Sequence, residues 1–313
     1  MNTHFTGDAM QANLGFVVSQ IATIEPTVYA IKYPDLRYRG IIPIEAGGNP
    51  WAKTVTYYSM DGAGKARWVA DRASDIPVVG LQMDKGETTV QLAGIGYDYG
   101  IEEVNQARML GIPLEATKAQ LARRISEEMI DRVALEGDSL KGFSGLFNYA
   151  GVTAATAPNG AAASPLWANK TADEMAADIN LILSGVASGT SYTSVADTIL
   201  LPLDRLAAMQ SKRLTGISMT ALDFVRTSNI YTAQTGQPLT IRGMRGLETA
   251  GAGGTARIIA YRNSPDVLKM YVPMPLRFLD VQVQGLRYVV PGIFRLGGLD
   301  VRLPKEVRYL DGV

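Results

Sequence analysis

The sequence contains no cysteine, which excludes disulfides, thiolate nucleophiles and Cys-ligated zinc. Histidine is almost as scarce. The single one, His4, stands close to the N-terminus, where chains are commonly loosely held. The rest of the chain therefore lacks the commonest general base and the commonest metal ligand. Net charge is missing too, with 30 Lys and Arg against 30 Asp and Glu. Proteins devoted to nucleic acid usually carry a basic excess, because counterion release from phosphates supplies much of their affinity. Contact with nucleic acid is therefore expected to be weak and local. No apolar run approaches the roughly 20 residues that span a bilayer; Ile199-Leu200-Leu201-Pro202-Leu203 is typical of the longest. Residues 1–10 lack the basic and apolar regions of a secretory signal. A soluble product made in the cytoplasm, with no membrane partner, is expected.

What is present suffices for a sizeable core: 313 residues, 47% hydrophobic and 19% charged. Residues 1–50 hold no regular period. Pro34, Gly40 and Pro43 interrupt helix and ladder alike, yet Tyr33, Leu36, Tyr38, Ile41 and Ile42 need burial. Such an arm lies either on its own domain as a strap or on a neighbour. Residues 51–70 predict a β-hairpin, with strands at 53–58 and 66–70 and turn chemistry at 60–65 around Gly62 and Gly64. A two-stranded ribbon alone is marginal in water, so Val55, Tyr57 and Trp68 require a partner surface. Further strands are expected at 76–82 and 88–93.

A short helix is expected from Glu102 to Leu110, stopped by Gly111, and a long one over 114–136. Leu114, Leu121, Ile125, Met129 and Val133 recur there at helical spacing, with Gly137 as C-cap. Residues 148–165, rich in Ala, Gly, Thr and Pro, read as a loop. Thr171 caps a helix running to Leu183, with Glu174 placed for a capping box. Strands at 196–201, 241–247 and 256–261 and helices at 204–210 and 219–227 make an α/β region. Strands at 268–272, 278–283, 286–290 and 299–303 close the chain.

No motif carries chemistry. Gly94-Ile-Gly96 lacks the third glycine of a dinucleotide fingerprint, and Gly251-Ala-Gly-Gly254 lacks the Lys-Ser/Thr of a phosphate loop. Gly142-Phe-Ser144-Gly145 has its second glycine one residue early for a nucleophile elbow and has no histidine to serve it. Glu102 and Glu103, or Glu127, Glu128 and Asp131, are the carboxylates a hydrolase would need; the arginines around the second group favour ion pairs. Lys53 and Lys65 are read as solubilising charges rather than cross-linking nucleophiles. No catalytic residue, metal ligand or cofactor is assigned.

The order of elements resembles the major capsid proteins of tailed phages, the Hong-Kong-97-type fold shared with encapsulins. The resemblance rests on that order and on loose phrases. These are Gly94-Ile-Gly-Tyr-Asp-Tyr-Gly-Ile-Glu-Glu103, Tyr271-Val-Pro-Met-Pro-Leu276, Tyr288-Val-Val-Pro291, Gly297-Gly-Leu-Asp-Val-Arg-Leu-Pro304 and Tyr309-Leu-Asp-Gly312. It implies an α+β fold: an N-terminal arm (1–50), an E-loop hairpin (51–73), and a peripheral domain (74–142) with its spine helix at 114–136. An axial α/β domain (143–270) and strands returning to the peripheral domain (271–313) complete it. It also implies a virion protein assembled in the host cytoplasm into hexamers and pentamers of an icosahedral head enclosing double-stranded DNA. Its partners are then copies of itself, separate scaffolding, portal and decoration proteins, and packaged DNA by weak non-specific contact. Many such chains begin with a long helical scaffolding segment, which is not seen before this arm. Contacts between subunits are expected at Tyr33, Tyr38, Tyr57, Lys65, Arg67 and Trp68. The alternatives are an encapsulin-like cargo shell and, in another class, a carboxylate-dependent hydrolase.

Overall fold

The computed structural model describes residues 35–68, 78–110 and 114–313, and residues 36–313 belong to one unit. Its centre is a five-stranded sheet in the order Thr240–Met244, Thr198–Pro202, Arg257–Tyr261, Val307–Asp311, Thr153–Thr156. Two of the pairings are parallel, those of 240–244 with 198–202 and of 307–311 with 153–156; the other two are antiparallel. The continuous apolar runs expected at 196–201 and 256–261 are strands covered on both faces. Side chains alternate along a strand, and here the two sets enter two different cores. Ile199, Leu201, Ile258, Ala260 and Leu310 face one core, together with helices Ala172–Gly189, Leu203–Ser211 and Ala221–Thr227. Leu200, Ile259, Tyr261, Val307 and Tyr309 face the other, with the end of the long helix and the strands near the end of the chain.

The helix Ala172–Gly189 begins as its sequence predicts. Thr171 accepts from the Glu174 amide, and the Glu174 carboxylate accepts from the Thr171 amide. It runs six residues beyond the expected Leu183, since Val186 and Ala187 continue the buried face. Beneath it lies an ion pair sealed from water: Lys170 Nζ and Trp167 Nε1 both donate to Asp178 Oδ2, at 2.6 and 2.8 Å. The side chains of Lys170 and Asp178 are 1% and 3% exposed. A second such lock joins neighbouring strands. Arg257 donates from Nε and Nη2 to the two Asp311 oxygens at 2.6 and 2.7 Å, and from Nη1 to the Phe147 carbonyl.

The long helix spans Leu114–Leu135, and Gly137 takes φ +80° just beyond it. Its expected inward stripe holds at Met129 and Val133 and is corrected before them: Leu121 and Ile125 remain 46% and 43% exposed, while Ala122, Ser126 and Ile130 are buried. A pattern of large apolar residues passes over the small Ala122 and the polar Ser126, whose hydroxyl is satisfied by the Arg123 carbonyl at 2.6 Å.

Residues 37–42 are a strap on this helix. The Asp131 carboxylate accepts from the amides of Arg37 and Tyr38 and pairs with the Arg37 guanidinium at 2.8 Å. The Tyr38 hydroxyl donates to Glu127 at 2.6 Å, and Tyr38, Ile41 and Ile42 are buried. Burial, with the Glu127 carboxylate beside it, pushes the Tyr38 phenol up to about 12. An unfolded tyrosine ionises near pH 10. The stability held in this contact is thus full below pH 10 and is lost as the pH climbs towards 12. Thermal melts of wild type and Tyr38→Phe across that range should show the gap between them narrowing by about 2 kcal/mol.

Three further expectations are corrected. Residues 148–165 are not all loop, because Thr153–Thr156 forms an edge strand of the central sheet. No strand was expected after 299–303, yet Val307–Asp311, within the segment 271–313 assigned to the peripheral domain, is a strand inside that sheet. The strand expected at 278–283 is two strands, Met274–Phe278 and Gln282–Gln284, in different sheets.

Candidate assembly surfaces

The hairpin is real, but longer than expected and differently paired. Strand Thr54–Ala63 runs antiparallel to Gly80–Thr89, from Thr54 opposite Thr89 to Ala63 opposite Gly80. Of the stretch expected as the second strand, 66–70, residues 66–68 are coil, and 69–77 lie outside the described residues. The reason is compositional. Asp84-Lys-Gly-Glu87 resembles a turn, yet Gly86 is required opposite Tyr57, because a Cβ there would stand 2.3 Å from the ring.

The register sorts the outer part of the ribbon into two unlike faces. Tyr58, Met60 and Gly62 lie opposite Lys85, Met83 and Leu81, while Ser59 and Asp61 lie opposite Asp84 and Gln82. Four side chains of the first face are open to solvent: Tyr58, Met60, Leu81 and Met83, each 55–67% exposed. One face is therefore apolar and uncovered and the other polar, an arrangement that isolated large side chains on an ordinary surface do not make.

Of the residues expected at subunit contacts, Lys65, Arg67 and Trp68 lie on the exposed tip, with Trp68 fully open to solvent. Tyr57 and Tyr38 do not join them. Tyr57 is half-buried against its own subunit, its ring 4.7 Å from the Arg302 guanidinium and the Asp300 carboxylate nearby. Burial and the neighbouring Asp300 carboxylate raise its phenol. Burial likewise raises the Asp300 carboxyl, against the pull of Arg302 and Lys269. Tyr38, in the strap itself, is 2% exposed against the long helix. Tyr33 lies outside the described residues.

A second uncovered tip was not singled out from the sequence. Gln282–Gln284 pairs with Arg287–Val290 across Gly285-Leu286, with Gly285 at φ +65°. Val283 and Leu286 are 70% and 78% exposed there. An aromatic ladder stiffens its base: Phe278 packs edge-on to Tyr97 at 5.3 Å, and Tyr99 lies 5.5 Å from Tyr288. Two large aliphatic residues flanking or entering a two-residue turn at a glycine were the available signal.

The acidic residues weighed for hydrolysis are engaged in structural contacts. Glu103 pairs with Lys118 at 2.7 Å, which holds its carboxyl below the usual range. Glu127 pairs with Arg39, Glu128 with Arg124 and Asp131 with Arg37, and Glu102 accepts from Gln106. Among the described residues no cluster of three or more metal-ligating side chains occurs, and no helix is long and apolar enough to cross a membrane.

No curated protein sequence matches the chain. In solved structures the fold recurs. The capsid of Myoviridae phage XM1 is similar over 94% of this chain and 98% of its own, with TM-score 0.78 and 20% identity. The capsid of the native GTA particle is similar over 99% of each chain, with TM-score 0.65 and 11% identity. A virus-like particle from Pyrococcus furiosus covers 97% of this chain and 98% of its own, with TM-score 0.52 and 11% identity. The fold is thus the Hong-Kong-97-type capsid fold that the order of elements led us to expect. The family model described as major capsid protein matches residues 64–313, and with hairpin, long helix and central sheet in that same arrangement, the chain belongs to the major capsid protein family.

Proposed function

We infer that this structural capsid protein assembles as hexamers and pentamers into an icosahedral phage head enclosing double-stranded DNA, with its hairpin laid across a neighbouring subunit. The observation that carries this reading is the one-sided ribbon, whose apolar face, at Tyr58, Met60, Leu81 and Met83, is open to solvent among the described residues. Covering Tyr58, Met60, Leu81 and Met83 would contribute on the order of 5 kcal/mol per hairpin at the usual value for buried apolar surface. The exposed Leu121 and Ile125 of the long helix offer apolar surface of the kind such a ribbon needs. Equal numbers of acidic and basic residues suit close packing of many copies without strong self-repulsion, and leave DNA to be held by weak non-specific contact. Scaffolding, portal and decoration proteins are the further partners, and assembly takes place in the host cytoplasm.

The test is to shorten the ribbon where its register allows, replacing residues 58–85 by a two-residue turn joining Tyr57 to Gly86. The expected product keeps the wild-type circular dichroism and melting behaviour but forms no closed shells by negative-stain microscopy and sizing. Wild-type protein that stays monomeric under all assembly conditions would sink the reading. Native particles filled with protein rather than DNA would replace the phage head by a cargo shell.

A further inference from the structure

One buried side chain of the body, Arg295, bonds to both legs of the hairpin. Arg295 lies on strand Gly292–Leu296, between Met274 on one side and Leu92 on the other. It is 6% exposed. Its Nη1 donates to the carbonyl of Pro50 at 2.9 Å and its Nη2 to the carbonyl of Val90 at 3.3 Å. Pro50 stands just ahead of the first strand of the ribbon, and Val90 directly follows the second. A single guanidinium therefore grips both legs of the hairpin. Trp51 packs over this grip, its ring 6.0 Å from the Arg295 guanidinium and 5.6 Å from that of Arg277. A third tie, from the Val90 amide to the Lys53 carbonyl at 2.8 Å, closes the two legs on each other.

The grip depends on arginine. A planar fork with two separate Nη groups can hold two carbonyls at a fixed spacing, whereas a lysine ammonium is a point charge on a flexible stem. It also comes at a cost in local satisfaction. The Nε of Arg295 is the one buried side-chain nitrogen or oxygen among the described residues that has no hydrogen-bond partner. Buried polar groups are almost always paired, and a well-packed apolar residue is frequently as stable at such a place. What the arginine supplies that an apolar residue cannot is a fixed relation between the two legs and the body.

We propose that Arg295, with Trp51 stacked over it, is a positioning residue that fixes the take-off angle of the 54–89 hairpin before any neighbour is met. The proposal rests on the reading that this hairpin joins subunits, and it explains how a two-stranded ribbon, soft on its own, can be aimed. Tyr57 against Arg302 is a second pin further along the first strand, so the ribbon is held at two levels.

The absence of cysteine makes the test clean. Spin labels on Gln82→Cys, at the polar face of the ribbon, and Ser184→Cys, on the exposed side of helix Ala172–Gly189, report one body-to-hairpin distance. Labelled full-length chains are diluted into unlabelled ones, so that distances between subunits do not contribute. In Arg295→Lys, and in Trp51→Leu, the distance distribution is expected to at least double in width while circular dichroism stays that of the parent. A width unchanged from the parent in Arg295→Lys overturns the proposal; if that variant does not fold, Trp51→Leu decides in its place. Shell yield is measured alongside and is expected to fall at least tenfold. A broadened distance with undiminished shell yield would leave the clamp standing and refute the role of the hairpin in joining subunits.

Discussion

A subunit carrying Met60→Lys together with Met83→Glu should fold as the wild type does and fail to close shells. The two residues are cross-strand partners, 67% and 55% exposed, and opposite charges placed there keep the ribbon itself attractive across its strands. Only the apolar face is lost. Withdrawing two such side chains from a docked surface removes about 3 kcal/mol per contact, which is roughly a hundredfold in the concentration needed to associate. The effect is repeated at every copy in a closed assembly. Sizing at graded concentration, with microscopy of the products, measures it. The control lies on the opposite face: Gln82→Lys, across from Asp61, should leave shell yield within about twofold. If Gln82→Lys abolishes shells and the Met60/Met83 pair does not, the ribbon docks by its polar face and its apolar face has no part in assembly.

The second large effect concerns the fold itself. Asp178→Ala leaves the Lys170 ammonium and the Trp167 indole buried without their acceptor, since both bond to the same Oδ2. Removing one partner of a sealed ion pair costs about 3–5 kcal/mol, and for a chain of this size that lowers the melting temperature by about 5–8 °C. Replacing both ions by apolar residues, Lys170→Met with Asp178→Leu, should recover the part of the loss due to the unpaired ammonium, because neither charge then needs to be taken out of water, while the Trp167 indole still lacks its acceptor. Calorimetric or circular-dichroism melts of the two variants decide the matter. A double variant as unstable as the single one would show that Asp178 acts through something other than the pair.

Features set by neighbouring residues were legible in the sequence. Thr171 and Glu174 announce a helix start because a capping box closes within four residues, and Gly137 announces a helix end for a similarly local reason. The runs at 199–201 and 257–261 announce strands, though not that alternate residues serve two separate cores. What the sequence hid is non-local. The true partner of strand 54–63 contains Asp84, Lys85, Gly86 and Glu87, a composition that argues for a turn until Tyr57 is seen to require Gly86 opposite it. The inward face of the long helix is marked at one end by Ala122 and Ser126, which no search for large apolar residues selects. Thr153–Thr156, four small residues, becomes a strand only because Val307–Asp311 lies beside it.

The assembly surface was legible in kind more than in detail. A ribbon needing cover could be read from its residues. That Tyr57 rests against Arg302 of its own chain, and that Met60, Leu81 and Met83 share an open face with Tyr58, follow from a register and a packing that composition does not encode. Arg295 is the extreme case: it meets Pro50 from 245 positions away, and nothing near either residue signals the other.

The place of strand 307–311 bears on how the protein is made. It enters between 257–261 and 153–156, parallel to the latter, so the central sheet cannot close until nearly all 313 residues have left the ribosome. A chain interrupted before Val307 leaves two strands without their common neighbour and strands Arg257 without Asp311. Such a product exposes open sheet edges and an unpaired buried charge, features that invite proteolysis. The strand that arrives last in the chain is therefore the one that holds two others together, and the closing of the sheet and the pairing of Arg257 depend on the same five residues.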